Sequence, residues 1–283
     1  MSWSRFVAIG DSFTEGLNDP YSGGGSFRGW ADLVAEKLAS EYEAQASQRA
    51  TSSRQGDEVD GPSNFLYANL AIRGRKFSEV VAEQVPAALA MAPDLVSFNA
   101  GGNDVLLPKL DTESMLQRFS EVVADLRAAS ADVIIFALPD VTDRLPRRGR
   151  IYPRLVMFNS EMERLASQLG AILVDMWSDD TFKNPRLWSD DRLHLLPAGH
   201  RRVAALTMRG LGVEPDSSWL APPEPPPARS WAGARLDDWR WVRRYYFPWL
   251  KRRLTGRTTG DGLVAKRPAL DPIAAVTEQI ITS

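Results

Sequence analysis

Five residues spread over most of the chain carry the means to attack an acyl group. Ser12 follows an apolar run in "VAIGDSFTEG", Gly74 ends "NLAIRG", Asn103 lies in "GGND", and Asp191 and His194 belong to "DDRLH". A serine hydroxyl is a weak nucleophile until a neighbouring base takes its proton, and imidazole suits that role. Asp191, three residues before His194, can fold onto Nδ1 in a turn, set the tautomer and stabilise the imidazolium. The backbone N–H groups of Ser12 and Gly74, with the Asn103 amide, would bind the oxyanion, each donor worth on the order of 3 kcal/mol. Glycine at 74 leaves no side chain to block close approach. Asp11 and Asp104 flank the nucleophile and the amide and are read as braces rather than reactants. Any imidazole chemistry must use His194 or His200, the two histidines of the chain. His200 falls in the helical run after Pro197 and is read as a surface or half-buried helical residue. Asp190 is the rival to Asp191 as the acid.

For these residues to meet, the chain must bring distant segments to one edge. From Arg5 to about Gly212, short apolar runs alternate with longer stretches of helical period. The strand candidates are "RFVAIG", "FLYANLA", "DLVSFNA", "DVIIFALP" and "AILVDMW". Strands alternating with helices predict a parallel sheet covered on both faces. The expected fold is α/β, a three-layer, flavodoxin-like doubly wound sheet of about five parallel strands. In such sheets ligands bind beyond the carboxyl ends of the strands, where the polar segments fall. Pro86 is expected to kink its helix. Residues 48–63 read as an exposed polar insertion, and residues 149–153 as part of a basic loop.

Past Gly212 the character changes. "EPDSSWLAPPEPPPARS" is proline-rich and excludes regular helix or sheet, and an extended tail closes the chain. We therefore divide the sequence into a catalytic domain, 1–212, and a C-terminal extension, 213–283, packing on or near it. Residues 229–257 hold nine basic and two acidic residues, a local charge of +7 among four tryptophans. Such a segment could lie on an anionic membrane surface, bind an acidic partner, or wrap over the acidic remainder of the chain.

The bulk numbers exclude other classes. The chain has 283 residues, with 34 basic and 36 acidic ones for a net charge of −2, so overall charge gives no reason to expect nucleic acid binding. The absence of cysteine removes disulfides and thiol nucleophiles, and with two histidines it leaves few soft metal ligands. No secretory signal is read at the N-terminus, and no apolar stretch reaches the roughly 20 residues that span a bilayer. The expectation is a soluble, cytoplasmic protein acting without metal or cofactor.

"GDSFTEG", "NLAIRG", "GGND" and "DRLH", in that order, resemble the four sequence blocks of the SGNH hydrolases, also called GDSL esterases and lipases. The resemblance spans most of residues 5–212 and leaves out the extension. It implies a serine esterase that cleaves a small-molecule carboxylic (acyl or acetyl) ester through an acyl-enzyme. Ser12 would be the nucleophile, Asp191 and His194 the rest of the triad, and Gly74 and Asn103 partners of Ser12 in the oxyanion hole. Two rivals stand beside it: an acyltransferase that acylates a sugar or alcohol at the same site, and a membrane-surface or partner-binding protein acting through residues 229–257.

Overall fold

The computed structural model describes residues 3–22, 24–52, 64–107, 109–129, 131–145, 147–225, 239–248, 252 and 258–273. In chain order the elements are β1 (Arg5–Gly10), α1 (Ser12–Glu15), α2 (Gly29–Ser52), β2 (Leu66–Asn69), α3 (Phe77–Glu79), a π-helical turn (Val80–Gln84), α4 (Val85–Ala90), β3 (Leu95–Asn99), α5 (Gly102–Val105), α6 (Thr112–Ala128), β4 (Asp132–Ala137), α7 (Arg148–Leu169), β5 (Ile172–Asp175), α8 (Pro197–Gly210) and β6 (Arg267–Pro272).

Six strands form one sheet in the order β5-β4-β3-β1-β2-β6. The first five run parallel, and β6 lies antiparallel on β2. A βαβ sheet of this kind buries both faces, so its strands read as continuous apolar runs. In β1, Val7 and Ile9 enter the core shared with α4, α6 and α7. Phe6 and Ala8, pointing the other way, enter the core shared with α2 and α8. After β1 the chain moves outward to β2, then returns to place β3 on the opposite side of β1. The topological switch point, where such sheets bind ligands, thus lies at the carboxyl ends of β1 and β3.

Several local expectations change. The stretch read as a basic loop at 149–153 is the first part of α7. Pro153 sits exposed inside that helix, near enough to its start for few backbone bonds to be lost. Pro86 does not act as a simple kink: the helix widens into the π-helical turn just before it, and Pro86 takes an early position of α4. The insertion read at 48–63 is in part the end of α2, and 53–63 lie outside the described residues.

The extension contributes the sixth strand, which the alternation pattern did not predict. "RPALDP" contains two prolines, which a central strand excludes but an edge strand tolerates. Just before it, Lys266 donates to Asp32 Oδ1 at 2.8 Å and to the carbonyls of Phe27 and Arg28 at 2.9 and 2.7 Å. Asp32 is fully buried and also accepts from the hydroxyls of Tyr21 and Tyr67, each at 2.7 Å. Burial pushes the Lys266 ammonium down, and a buried ion is retained only with such partners. Of the aromatic-basic segment, Trp241 is buried and Trp239 is 73% exposed. Residues 229–238, 249–251 and 253–257 lie outside the described residues.

Candidate active site

The end of β1 is built to present a hydroxyl. A Cβ at Gly10 would stand 2.5 Å from the Asn99 carbonyl oxygen at the end of β3, so only glycine lets the two strand ends approach. Gln84, buried in the π-helical turn, grips the Gly10 backbone from both sides: Oε1 accepts from its N–H at 2.7 Å and Nε2 donates to its C=O at 2.9 Å. Asp11 then caps α1, its Oδ1 accepting from the Phe13 N–H at 3.1 Å. Ser12 is the first residue of that helix, and its N–H makes no hydrogen bond among the described residues, as first-turn donors do.

The Ser12 Oγ lies 2.9 Å from His194 Nε2, and His194 Nδ1 lies 2.6 Å from Asp191 Oδ2. The other Asp191 oxygen accepts from the N–H groups of Leu193 and His194, at 3.0 and 2.9 Å, and from the Ser189 hydroxyl at 2.6 Å. Among the described residues, every donor to this carboxylate thus comes from its own turn. That turn is tight: Ser189 N–H bonds the His194 carbonyl at 2.8 Å, and Arg192 takes a left-handed φ of 64°. The Arg192 guanidinium lies 5.0 Å from the centre of the Trp241 ring, so the extension reaches the turn from outside. Burial pushes the Asp191 carboxyl up, but the hydrogen bonds from His194 and Ser189 outweigh it and hold it well below the usual carboxylate range. With Asp191 ionised, Nδ1 carries the ring proton and Nε2 faces Ser12 with its lone pair. Asp190 is exposed and lies off the imidazole.

Asn103 comes from α5, which begins after Gly101 in a left-handed conformation, φ 97°. Its Nδ2 donates to Asp11 Oδ2 at 3.0 Å and to the Arg75 carbonyl at 3.2 Å. Asp104 faces the other way, and its Oδ2 accepts from the Phe77 N–H at the start of α3 at 2.9 Å. Gly74, with φ 78°, borders the same cavity as Ser12 and Asn103. Its loop is fastened to α1 by Glu15, which pairs with the Arg73 guanidinium and accepts from the Arg73 N–H at 2.7 Å. A Cβ at Gly74 would stand 3.0 Å from Thr258 Cβ, so the extension packs against this loop as well.

All seven site candidates of the sequence therefore gather at the carboxyl edge of the sheet, Asp11 and Asp104 in bracing contacts. Sequence reasoning missed Glu15, Gln84 and Ser189. Glu15 lies within a quoted motif and Ser189 immediately before one, but their partners are 58 residues away and on the same turn respectively. Gln84 alone left a signal, a polar residue on an apolar helical face.

The structure corrects the reading of His200. It is 1% exposed, accepts from the Trp30 N–H through Nδ1 at 3.3 Å, and donates from Nε2 to the Leu17 carbonyl at 3.1 Å. It joins α8 to the start of α2. Burial pushes its pKa down from 6.5 to about 4. Below about 6.5 the unfolded chain takes up a proton that the folded one does not, so stability falls as the pH drops from about 6.5 to about 4. The loss totals roughly 3 kcal/mol. Urea unfolding across that window should show His200→Gln less stable at neutral pH but with a flatter acid limb, and parallel limbs would refute this role.

A cavity of about 220 Å³ opens at Ser12. Phe13, Leu17, Leu138, Met176, Phe182 and Trp188 form apolar parts of its wall.

A family model described as GDSL-like lipase/acylhydrolase matches residues 8–202. No match was found among curated proteins. Among solved structures, the chain is similar to an acetylxylan esterase from Geobacillus stearothermophilus, at 18% identity over 76% of this chain and 97% of that one, with a TM-score of 0.56. It is also similar to LAE5, an α/β hydrolase enzyme from the metagenome of Lake Arreo in Spain, at 20% identity over 74% and 95%, TM-score 0.55. A third is the psychrotrophic esterase EstA from Pseudoalteromonas sp., at 18% identity over 77% and 98%, TM-score 0.51. At these identities the likeness is one of fold.

Proposed function

The chain belongs to the GDSL-like lipase/acylhydrolase family, and from that premise we propose that it is a serine esterase working through an acyl-enzyme on Ser12. The observation that carries this reading is the relay of 2.9 and 2.6 Å from Ser12 Oγ through His194 to Asp191. As Oγ bonds to the ester carbon, its proton passes to His194 Nε2 and the carbonyl electrons move onto oxygen. Collapse of that tetrahedral species expels the alcohol, whose oxygen takes the proton from His194. Water then repeats the sequence on the acyl-enzyme and releases the acid. Asp191 orients the ring throughout and stabilises it when charged.

The oxyanion is held by the Ser12 and Gly74 N–H groups and the Asn103 amide. Asn103 gives up the longer of its two bonds, that to the Arg75 carbonyl, while Asp11 keeps the amide aimed. The acyl half lies in the apolar cavity at Ser12. The reading is tested by turnover of short-chain p-nitrophenyl esters, and it falls if no chain length is cleaved. On a cleaved ester, Asn103→Ala should reduce kcat about 10²- to 10³-fold. A loss confined to KM would remove Asn103 from the oxyanion hole.

A further inference from the structure

A second cavity, of about 270 Å³, abuts the first, and Ile151, Leu193, His194 and Arg252 border both. Five arginines line it: Arg147, Arg150 and Arg154 from the start of α7, Arg244 and Arg252 from the extension. Arg150 and Arg154, four apart within α7, lie on one helical face, and Arg147 is the residue that caps the start of that helix. The acidic member of the described lining is Asp191, whose oxygens are committed to His194 and its own turn.

Nine arginines elsewhere among the described residues are paired with acids. Arg148 pairs with Asp143, Arg164 with Glu161 and Arg186 with Glu224. Among the described residues, Arg147, Arg150 and Arg244 form no ion pair with any acid. Arg147 moreover holds a left-handed φ of 66°, a conformation that costs a non-glycine residue energy. Like charges drawn from two distant segments into one concavity repel, unless an anion completes the site. Guanidinium forks match the planar pairs of oxygens on carboxylate and phosphate. The aromatic wall of Trp241, Tyr245 and Tyr246 strengthens such contacts by displacing water.

We infer that this cavity receives an anionic group, a carboxylate or a phosphate, on the alcohol half of the ester. The inference rests on the esterase reading, which places the departing oxygen at His194, on the border of the two cavities, with the acyl chain in the apolar one.

The test uses matched hexanoyl esters of propanediol, β-hydroxypropionate and propanediol monophosphate, which differ in a neutral, carboxylate or phosphate end. At least one anionic ester should exceed the neutral one in kcat/KM by about 10- to 100-fold, since each charge-assisted hydrogen bond is worth about tenfold. That advantage should shrink as salt is added, and Arg150→Gln with Arg244→Gln should cut the ratio at least about tenfold. Which anionic ester is preferred tells carboxylate from phosphate. Equal turnover of the three, or a preference that survives both substitutions, overturns the inference. If the wild type cleaves none of them, the esterase reading has failed, and the cavity is judged alone. Calorimetry with propanediol monophosphate and β-hydroxypropionate then decides: binding lost on the double substitution upholds the anion site, and no binding removes it.

Discussion

Ser12→Ala should reduce ester turnover by about a million-fold, the scale on which a triad nucleophile acts, with little change in thermal stability. Ser12 is nearly buried, but among the described residues its hydroxyl makes one hydrogen bond, to His194 Nε2. Replacing it removes a few atoms at a cavity wall and leaves the Asp11 cap, the Gln84 grip and the sheet untouched. On the esterase reading, what disappears is the hydroxyl that would carry the acyl group. The residual rate would come from oxyanion donors and substrate binding, which survive the loss of a nucleophile. The measurement is single-turnover and steady-state hydrolysis of a p-nitrophenyl ester beside a Tm. A residual rate within about tenfold of wild type would move the nucleophile elsewhere.

Asp191→Asn should cost about ten-thousandfold in kcat. The substitution is nearly isosteric, so the turn keeps its shape. The amide, however, presents hydrogens where the carboxylate presented lone pairs, and the contact at 2.6 Å with Nδ1 is kept only if Nδ1 becomes the acceptor. The ring proton then sits on Nε2 and points at Ser12, so the base can no longer take the serine proton. Because Asp191 is held well below the usual carboxylate range, its own protonation does not limit the wild type on the acid side until far below neutrality. Asp190→Asn is the control, since that residue is exposed and off the imidazole. Equal losses from both substitutions would mean that charge in the turn, rather than the Asp191 contact, is what matters.

The candidate site was legible in part because Ser12, Gly74 and Asn103 stand just past apolar runs, and because two histidines leave little choice of base. The five parallel strands were legible for the related reason that their apolar runs, buried on both faces, differ from helical periodicity. What escaped depends on pairs formed across long separations. Glu15 reads as one acid in a small helix until Arg73 arrives beside it. Gln84 owes its role to the widened turn before Pro86, which no local periodicity marks. His200 looked exposed because polar residues surround it in sequence, whereas the packing of α8 on α2 turns it inward. In β6 the two prolines masked a strand that the edge of the sheet permits.

That last strand bears on how the protein is made. The outer edge of β2 is covered by residues lying about 200 positions later, Asn69 opposite Arg267 and Leu66 opposite Pro272. During synthesis β2 can pair with β1 long before Arg267 leaves the ribosome, so one ladder of N–H and C=O groups waits bare. A bare edge is a template for another chain, and contacts of such long sequence separation form late. Over the same interval Asp32 lacks the Lys266 ammonium. A chain stopped before Lys266 would carry the triad yet keep both liabilities, and its failure would be aggregation rather than faulty catalysis.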